Sequence, residues 1–260
     1  MEQTAAIFER TAVHDHPADR PLSKSESVRI ADTLAFIPPG LQTALDVGCG
    51  PGVLLERLPV ARAYGTDLGR RGLRHVRRPA VRSSIFALPF RDAAFDLVTC
   101  TEVLEHLDPA EVPAAVAELY RVAARHVLIT VPHAEQLLES SHRCPRCGEV
   151  FHLHGHRQSL TEGTLRPLFP PEAKISVRYS WRVRPWSENL LRFRTHTLNL
   201  WKYSPHGFCP KCGFAELQNH ERRLLYRLTT GLNELRHPRR TKWNWLLMRI
   251  DKPTAGGTHV

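Results

Sequence analysis

No apolar stretch in the chain approaches the roughly 20 residues that cross a bilayer, so no transmembrane helix is expected. The opening segment, MEQTAAIFERTAVHDHPADR, lacks the apolar block of a secretory leader, and the expected location is the cytoplasm. Internal repeats and long low-complexity tracts are also missing, which sets aside solenoids and fibrous arrays. What is present is an ordinary globular composition: 42% hydrophobic and 24% charged residues exclude disorder throughout. At 260 residues there is enough chain for one large α/β domain, or one domain with an appendage.

The net charge of +10 is unevenly spread. Residues 1–156 hold 17 Lys+Arg against 19 Asp+Glu, and residues 157–260 hold 19 against 7, so balances of −2 and +12 sum to +10. All five tryptophans, Trp181, Trp186, Trp201, Trp243 and Trp245, lie in the basic half. That asymmetry points to an anionic partner or substrate, with solubility as the plainer explanation.

Residues 1–22 read as a polar arm. A helix capped by Ser23 or Ser25 follows, stopped by Pro38-Pro39-Gly40. Buried strands are expected over 43–47, 61–67, 95–100 and 126–131, with helices over 54–58 and 112–123. Strands alternating with helices at this spacing indicate βαβ units and a mainly parallel sheet. Past Pro132 come a His- and Cys-rich stretch, a helix over 160–169, and alternating strands over 173–183 and 243–250. Two helical candidates and a second cysteine pair lie between those strands. The expected division is an arm and helix over 1–40, a core over 41–135, and a C-terminal half of the sheet with insertions over 136–260.

The run Asp46-Val-Gly48-Cys-Gly50-Pro-Gly52 follows a strand and opens a helix. Glycines there let a ligand approach the backbone, and a plain tight turn is the bland alternative. The next strand ends at Asp67, fifteen residues past Gly52, where a carboxylate can accept from ribose hydroxyls. Positions 53 and 55 are Val and Leu, not the third glycine that dinucleotide-binding dehydrogenases use.

Over about residues 43–170 the chain resembles the class I S-adenosylmethionine-dependent methyltransferases, specifically methyltransferase type 11. The resemblance rests on Leu45-Asp-Val-Gly-Cys-Gly-Pro-Gly52, Asp67, Ala87-Leu-Pro-Phe90, Phe95-Asp-Leu-Val98 and Glu102-Val-Leu-Glu-His-Leu107. It implies a doubly wound, Rossmann-like, seven-stranded sheet whose last strand is antiparallel. It also implies that Asp46, Gly48, Gly50 and Gly52 surround the methionine and ribose of S-adenosylmethionine, while Asp67 holds the ribose diol. Many relatives carry an Asp where this chain has Ser84, so adenine recognition is expected from Ser84, Ile85 and backbone groups.

Cys144-Pro-Arg-Cys147-Gly148 and Cys209-Pro-Lys-Cys212-Gly213 are near copies. Two C-x2-C turns make a four-cysteine set of the structural zinc type, with disulfides or free thiols as alternatives. Such a zinc is expected to pin two insertions into a substrate-facing lid at the carboxyl edge of the sheet. Cys49 and Cys100 read as core packing.

Glu102-Val-Leu-Glu105-His106 follows the 95–100 strand. Its acids and imidazole, with His156 downstream, are the candidate catalytic residues, and together they could hold a divalent cation. In this element, and in a later His before a helix, the chain is similar to the small-RNA 3′-terminal 2′-O-methyltransferases. In type 11 enzymes the same element lines a metal-free pocket. His154 and His133 are further candidates for substrate-facing roles, and His142 and His152 belong to the same cluster.

The reading is therefore a zinc-containing S-adenosylmethionine-dependent methyltransferase whose acceptor is small and anionic or sugar-like. Metal-assisted RNA 2′-O-methylation through the basic half is the alternative. A zinc-ribbon binding module with a cofactor-sensing sheet is the non-enzyme alternative. Oligomeric state leaves no mark in the sequence.

Overall fold

Short apolar runs build the centre of the molecule. The computed structural model describes residues 16–236 and 241–253. In chain order its elements begin with helix α1 (Lys24–Leu34), strand β1 (Thr43–Val47), β2 (Arg62–Asp67), helix α2 (Arg70–Leu73) and β3 (Ala80–Arg82). Next come β4 (Phe95–Thr101), α3 (Val112–Val122), β5 (Ala123–Pro132), and a hairpin of β6 (Ser141–Arg143) and β7 (Val150–His152). Helix α4 (Glu162–Leu165), β8 (Lys174–Val183), α5 (Glu188–Arg192), α6 (Leu224–Arg236) and β9 (Lys242–Asp251) complete it.

Seven strands form one sheet in the order β3-β2-β1-β4-β5-β9-β8. β1 to β5 run parallel, and β9 is antiparallel to both β5 and β8. The seven-stranded doubly wound sheet with an antiparallel last strand is the expected architecture. Alternation along each strand sends side chains to two layers. Leu45, Val98 and Ile129 pack with α3, whose Val112, Ala115, Val116, Leu119 and Val122 recur at helical spacing. Ala44, Leu97 and Leu128 pack with Ile30 of α1 and with Leu54, Leu55 and Leu58.

Two helices expected from the sequence are shorter than their patterns. The 54–58 segment makes only a 3-10 turn, Leu55–Arg57. Leu58 precedes Pro59 and is extended at φ −61°, ψ 127°, because a proline disfavours helix at the residue before it. In the 160–169 segment only Glu162–Leu165 is α-helical, and Pro167 lies in the 3-10 turn that follows. Ser23, not Ser25, caps α1, in a reciprocal capping box with Glu26. The first fifteen residues of the expected N-terminal arm lie outside the described residues.

Strand direction places the insertions. β5 and β8 both run antiparallel to β9, so β5 and β8 point the same way. The 184–241 connection therefore leaves and re-enters the sheet at the carboxyl edge, where the 133–173 connection also begins. In open α/β sheets that edge is where ligands bind.

Candidate active site

At the end of β1 the chain turns through Gly48, Gly50 and Gly52, with φ of 75°, 51° and 86°. Glycine adopts this left-handed conformation without strain. At Gly48 space demands it too, because an added Cβ would stand 2.2 Å from Val103 Cγ2. Gly48 N and Cys49 N both donate to Thr66 O, at 2.8 and 3.1 Å, binding the loop to β2. Asp67, at the end of β2, accepts from Gly50 N at 2.8 Å and Gly69 N at 2.7 Å. A carboxylate has about four acceptor positions, so Asp67 keeps capacity for a diol.

These groups face one cleft with Ser83, Ser84, Ile85, Phe86, Glu102, Val103, His106, Leu107 and Glu111. Of the expected cofactor residues, Gly48, Gly50, Asp67, Ser84 and Ile85 line it. Asp46 and Gly52 do not. Asp46 alternates with Val47 along β1 and so points away, accepting from Thr99 Oγ1 at 2.6 Å. Ser83, Phe86, Val103 and Glu111 line the cleft without having been singled out by the sequence.

Burial pushes the Asp46 pKa up to about 7 against the Thr99 hydrogen bond, with the nearby Asp67 charge adding to the rise. The folded state thus binds this proton more tightly than the unfolded chain, and stability falls as pH rises from about 4 to 7. Asp46→Asn keeps an acceptor for Thr99 and carries no charge. Its advantage over wild type should be nil near pH 4 and grow to at most about 4 kcal/mol at pH 8. Urea denaturation at both pH values checks this; equal stability at pH 8 would contradict it.

Glu102 follows β4 with φ 57°, a conformation that costs a non-glycine residue of order 1 kcal/mol. Contacts from two strands hold it there: its N–H donates to Thr130 O at 2.8 Å and its Oε2 accepts from Trp245 Nε1 at 2.9 Å. Glu105 is 1% exposed, and neither of its carboxylate oxygens, nor Glu102 Oε1, has a partner among the described residues. Burial raises the pKa of both acids, and the Glu102 charge raises Glu105 further.

The His-rich segment is stitched onto this turn. Arg157 N donates to Glu105 O at 2.8 Å, and Gln158 Nε2 donates to Leu104 O and Leu107 O at 3.1 and 2.9 Å. The His156 ring sits edge-on to His106 at 4.8 Å. Glu135, just past β5, has one oxygen 2.6 Å from His156 Nδ1 and the other 3.4 Å from His152 Nε2. Burial would raise the Glu135 carboxyl, but the two imidazoles prevail and hold it below the usual carboxylate range.

One ligand atom each from Glu105, His106 and His156 lie within 4.8 Å of one another, and so do those of Glu135, His152 and His156. Two bonds of about 2.0–2.2 Å to a shared divalent ion span at most about 4.4 Å, so each set would need to close by no more than about 0.4 Å around one. Of the four candidate catalytic residues the structure gathers Glu105, His106 and His156, while Glu102 stands at the cleft wall beside Trp245. Sequence reasoning missed Glu135, which carries no spacing signal. His133 does not reach the cleft: its ring packs against Tyr179 at 4.9 Å. His142 stacks on His220 at 5.6 Å and bonds Lys202 O at 2.7 Å, a packing role.

Both cysteine pairs converge. Cys144 Sγ lies 3.6 Å from Cys212 Sγ and Cys147 Sγ 3.6 Å from Cys209 Sγ, with all four sulfurs within 4.8 Å. A disulfide needs about 2.05 Å, whereas sulfurs on a tetrahedral zinc at about 2.3 Å stand ~3.8 Å apart. The two knuckles are alike in backbone as well. Gly148 N donates to Cys144 O and Gly213 N to Cys209 O, each at 2.9 Å. Cys49 and Cys100 are buried, and burial drives their thiols up, as for inert core residues.

Residues 45–131 match the methyltransferase domain family of type 11. That stretch, together with the seven-stranded fold, is similar to the class I S-adenosylmethionine-dependent methyltransferases. A ubiquinone biosynthesis O-methyltransferase of Albidiferax ferrireducens is 33% identical over 116 residues, covering 39% of this chain and 46% of that protein. The chain spans only about half the length of such relatives or less. A methyltransferase of Archaeoglobus fulgidus shares the fold at a TM-score of 0.51 and 16% identity, covering 88% of this chain and 95% of that one. The magnesium protoporphyrin IX methyltransferase of Synechocystis, solved with S-adenosylmethionine bound, gives a TM-score of 0.50 at 16% identity, covering 70% and 91%.

Proposed function

We propose that the protein is an S-adenosylmethionine-dependent methyltransferase acting on a hydroxyl of a small, anionic or sugar-like acceptor, with a structural zinc on its four cysteines. The observation that carries the reading is a single cleft shared by the Gly48–Gly50 turn, Asp67 and the Glu102–His106 turn. The O-methyltransferase names of the curated relatives support the hydroxyl acceptor.

Gly48 and Gly50 would bring backbone against the methionine end of the cofactor, Asp67 would accept from its ribose hydroxyls, and Ser84, Ile85 and Phe86 would enclose the adenine. The bound cofactor supplies an electrophilic sulfonium methyl group. The chain's part is to hold the acceptor oxygen in line with that methyl, to exclude water, and to take the hydroxyl proton. Glu102 and His106 line the cleft and would be the groups that accept it. Glu102→Gln keeps an acceptor for Trp245 and should lower kcat about a hundredfold, with S-adenosylhomocysteine affinity within about threefold. Transfer of labelled methyl to a panel of phenolic, sugar and nucleotide acceptors tests both statements. A variant with full kcat would remove Glu102 from the proton step.

A second reading is favoured by the buried Glu105 carboxylate, which has no hydrogen-bond partner among the described residues and lies within 4.8 Å of a ligand atom of both His106 and His156. Glu105, His106 and His156 would hold a divalent cation beside the cleft, and such an ion supplies Lewis-acid polarisation of a bound hydroxyl or diol. The same panel run with Mn²⁺, Mg²⁺ or a chelator, and including RNA with a free 3′ end, separates the readings. Cation dependence of zinc-replete enzyme, lost in Glu105→Gln, favours the second. The non-enzyme alternative, a zinc-ribbon module with a cofactor-sensing sheet, predicts cofactor binding with no transfer to any acceptor.

A further inference from the structure

Helix α6 is packed the wrong way round for a monomer in water. Its inward face is largely polar. Tyr226, Thr229 and Asn233 are the buried positions, and Asn233 fixes the helix by accepting from Ser187 N at 2.8 Å and donating to Pro185 O at 3.2 Å. The buried Arg194 guanidinium lies over the rings of both Tyr226, at 4.6 Å, and Trp186, at 4.2 Å. The outward face carries Leu224, Leu225, Leu228, Leu232 and Leu235, from 45% exposed at Leu232 to 79% at Leu235. At 3.6 residues per turn these leucines cover one arc of about 100°. They are five of the eight exposed large hydrophobics among the described residues, and a monomer seldom leaves such a contiguous stripe bare.

Charge identifies what covers the stripe. Arg227 is exposed and falls about 60° beyond the edge of the leucine arc with Glu234 beside it on the wheel, and the exposed Arg223 directly precedes the helix. An exposed leucine face edged by arginine is the pattern of a helix that lies in a bilayer interface. A second copy of the chain on the same stripe would bring this basic flank, in a molecule of +10 net charge, against itself. An anionic lipid surface neutralises both arginines while taking up the leucines. We propose that α6 docks the protein peripherally onto an anionic membrane surface, lying in the interface and not crossing it. Among the described residues no helix is long and apolar enough to cross. The proposal stands independently of the methyl-transfer reading.

The test is flotation of the full, zinc-replete chain with two kinds of vesicle: phosphatidylcholine alone, and phosphatidylcholine with about 30% phosphatidylglycerol. The expected result is association with the anionic vesicles only, weakened by salt. Leu228→Gln/Leu232→Gln, both at exposed positions, should reduce vesicle-bound protein at least tenfold, and Arg223→Gln/Arg227→Gln several-fold. Circular dichroism confirms that each variant is folded, and a single-leucine Leu235→Gln variant serves if the double variant is not. Failure to float with anionic vesicles, or equal flotation with both kinds, overturns the proposal. So does a micromolar dimer by light scattering that the leucine variants dissociate, since a second copy would then be the occupant.

Discussion

Stripping the four-cysteine site of its metal, or replacing Cys144 and Cys209 with serine, is expected to abolish methyl transfer while leaving S-adenosylhomocysteine affinity within about threefold of wild type. The asymmetry follows from where the proposed zinc would sit. β6 and β7 share three residue pairs, too few to hold a hairpin in water without support. Their support is a small core of Cys144, Phe151, Cys209 and Leu217. A zinc on the four thiolates would contribute apparent binding energy of about 10–16 kcal/mol, so its loss should unfold this unit. β7 ends at His152, and four residues later His156 meets His106 and Glu135. The hairpin thus positions the histidines, while the cleft's glycine turn and Asp67 belong to β1 and β2. Metal analysis, turnover and calorimetry on the same preparation check the outcome. Equal loss of cofactor binding and turnover would contradict this division of labour.

Gly48→Ala is expected to weaken cofactor binding about a hundredfold, or ~2.7 kcal/mol. A Cβ there meets Val103 Cγ2 at 2.2 Å, and the backbone is already at φ 75°. Val103 is β-branched and stiff about χ1, so relief requires the side chain to turn into the cleft it lines. Val103→Ala in the same chain should restore much of the affinity, a coupling that two independent effects would not show. Gly52→Ala is the contrast. Its Cβ would clear Val76 by 3.4 Å and it does not line the cleft, so backbone strain at φ 86° should lower stability more than affinity.

The sheet could be read from the sequence because parallel strands are buried on both faces and appear as unbroken apolar runs. Thr43–Val47, Phe95–Thr101 and Lys242–Asp251 lie within about two residues of their expected bounds. β3, with all three residues exposed, and the three-residue strands of the hairpin have no such pattern and were missed. The glycine turn, Asp67 and the knuckles could be read because their chemistry is local in sequence. Glu135 and the Trp245 contact to Glu102 could not, since they join residues 21 and 143 positions apart that only the fold brings together. Asp46 stands outside the cleft lining for a related reason: the resemblance names a position, while strand alternation decides which way its side chain points. The outward leucine face of α6 was invisible as well, because an amphipathic pattern does not say which face is covered.

The central claim is that the cleft between the Gly48–Gly50 turn and Asp67 holds S-adenosylmethionine. Isothermal titration of zinc-replete protein with S-adenosylhomocysteine tests it most directly. One site per chain with Kd of order 1–100 μM, lost in Asp67→Ala, is the predicted result. Folded protein that takes up neither S-adenosylhomocysteine nor S-adenosylmethionine at ~1 mM would contradict it.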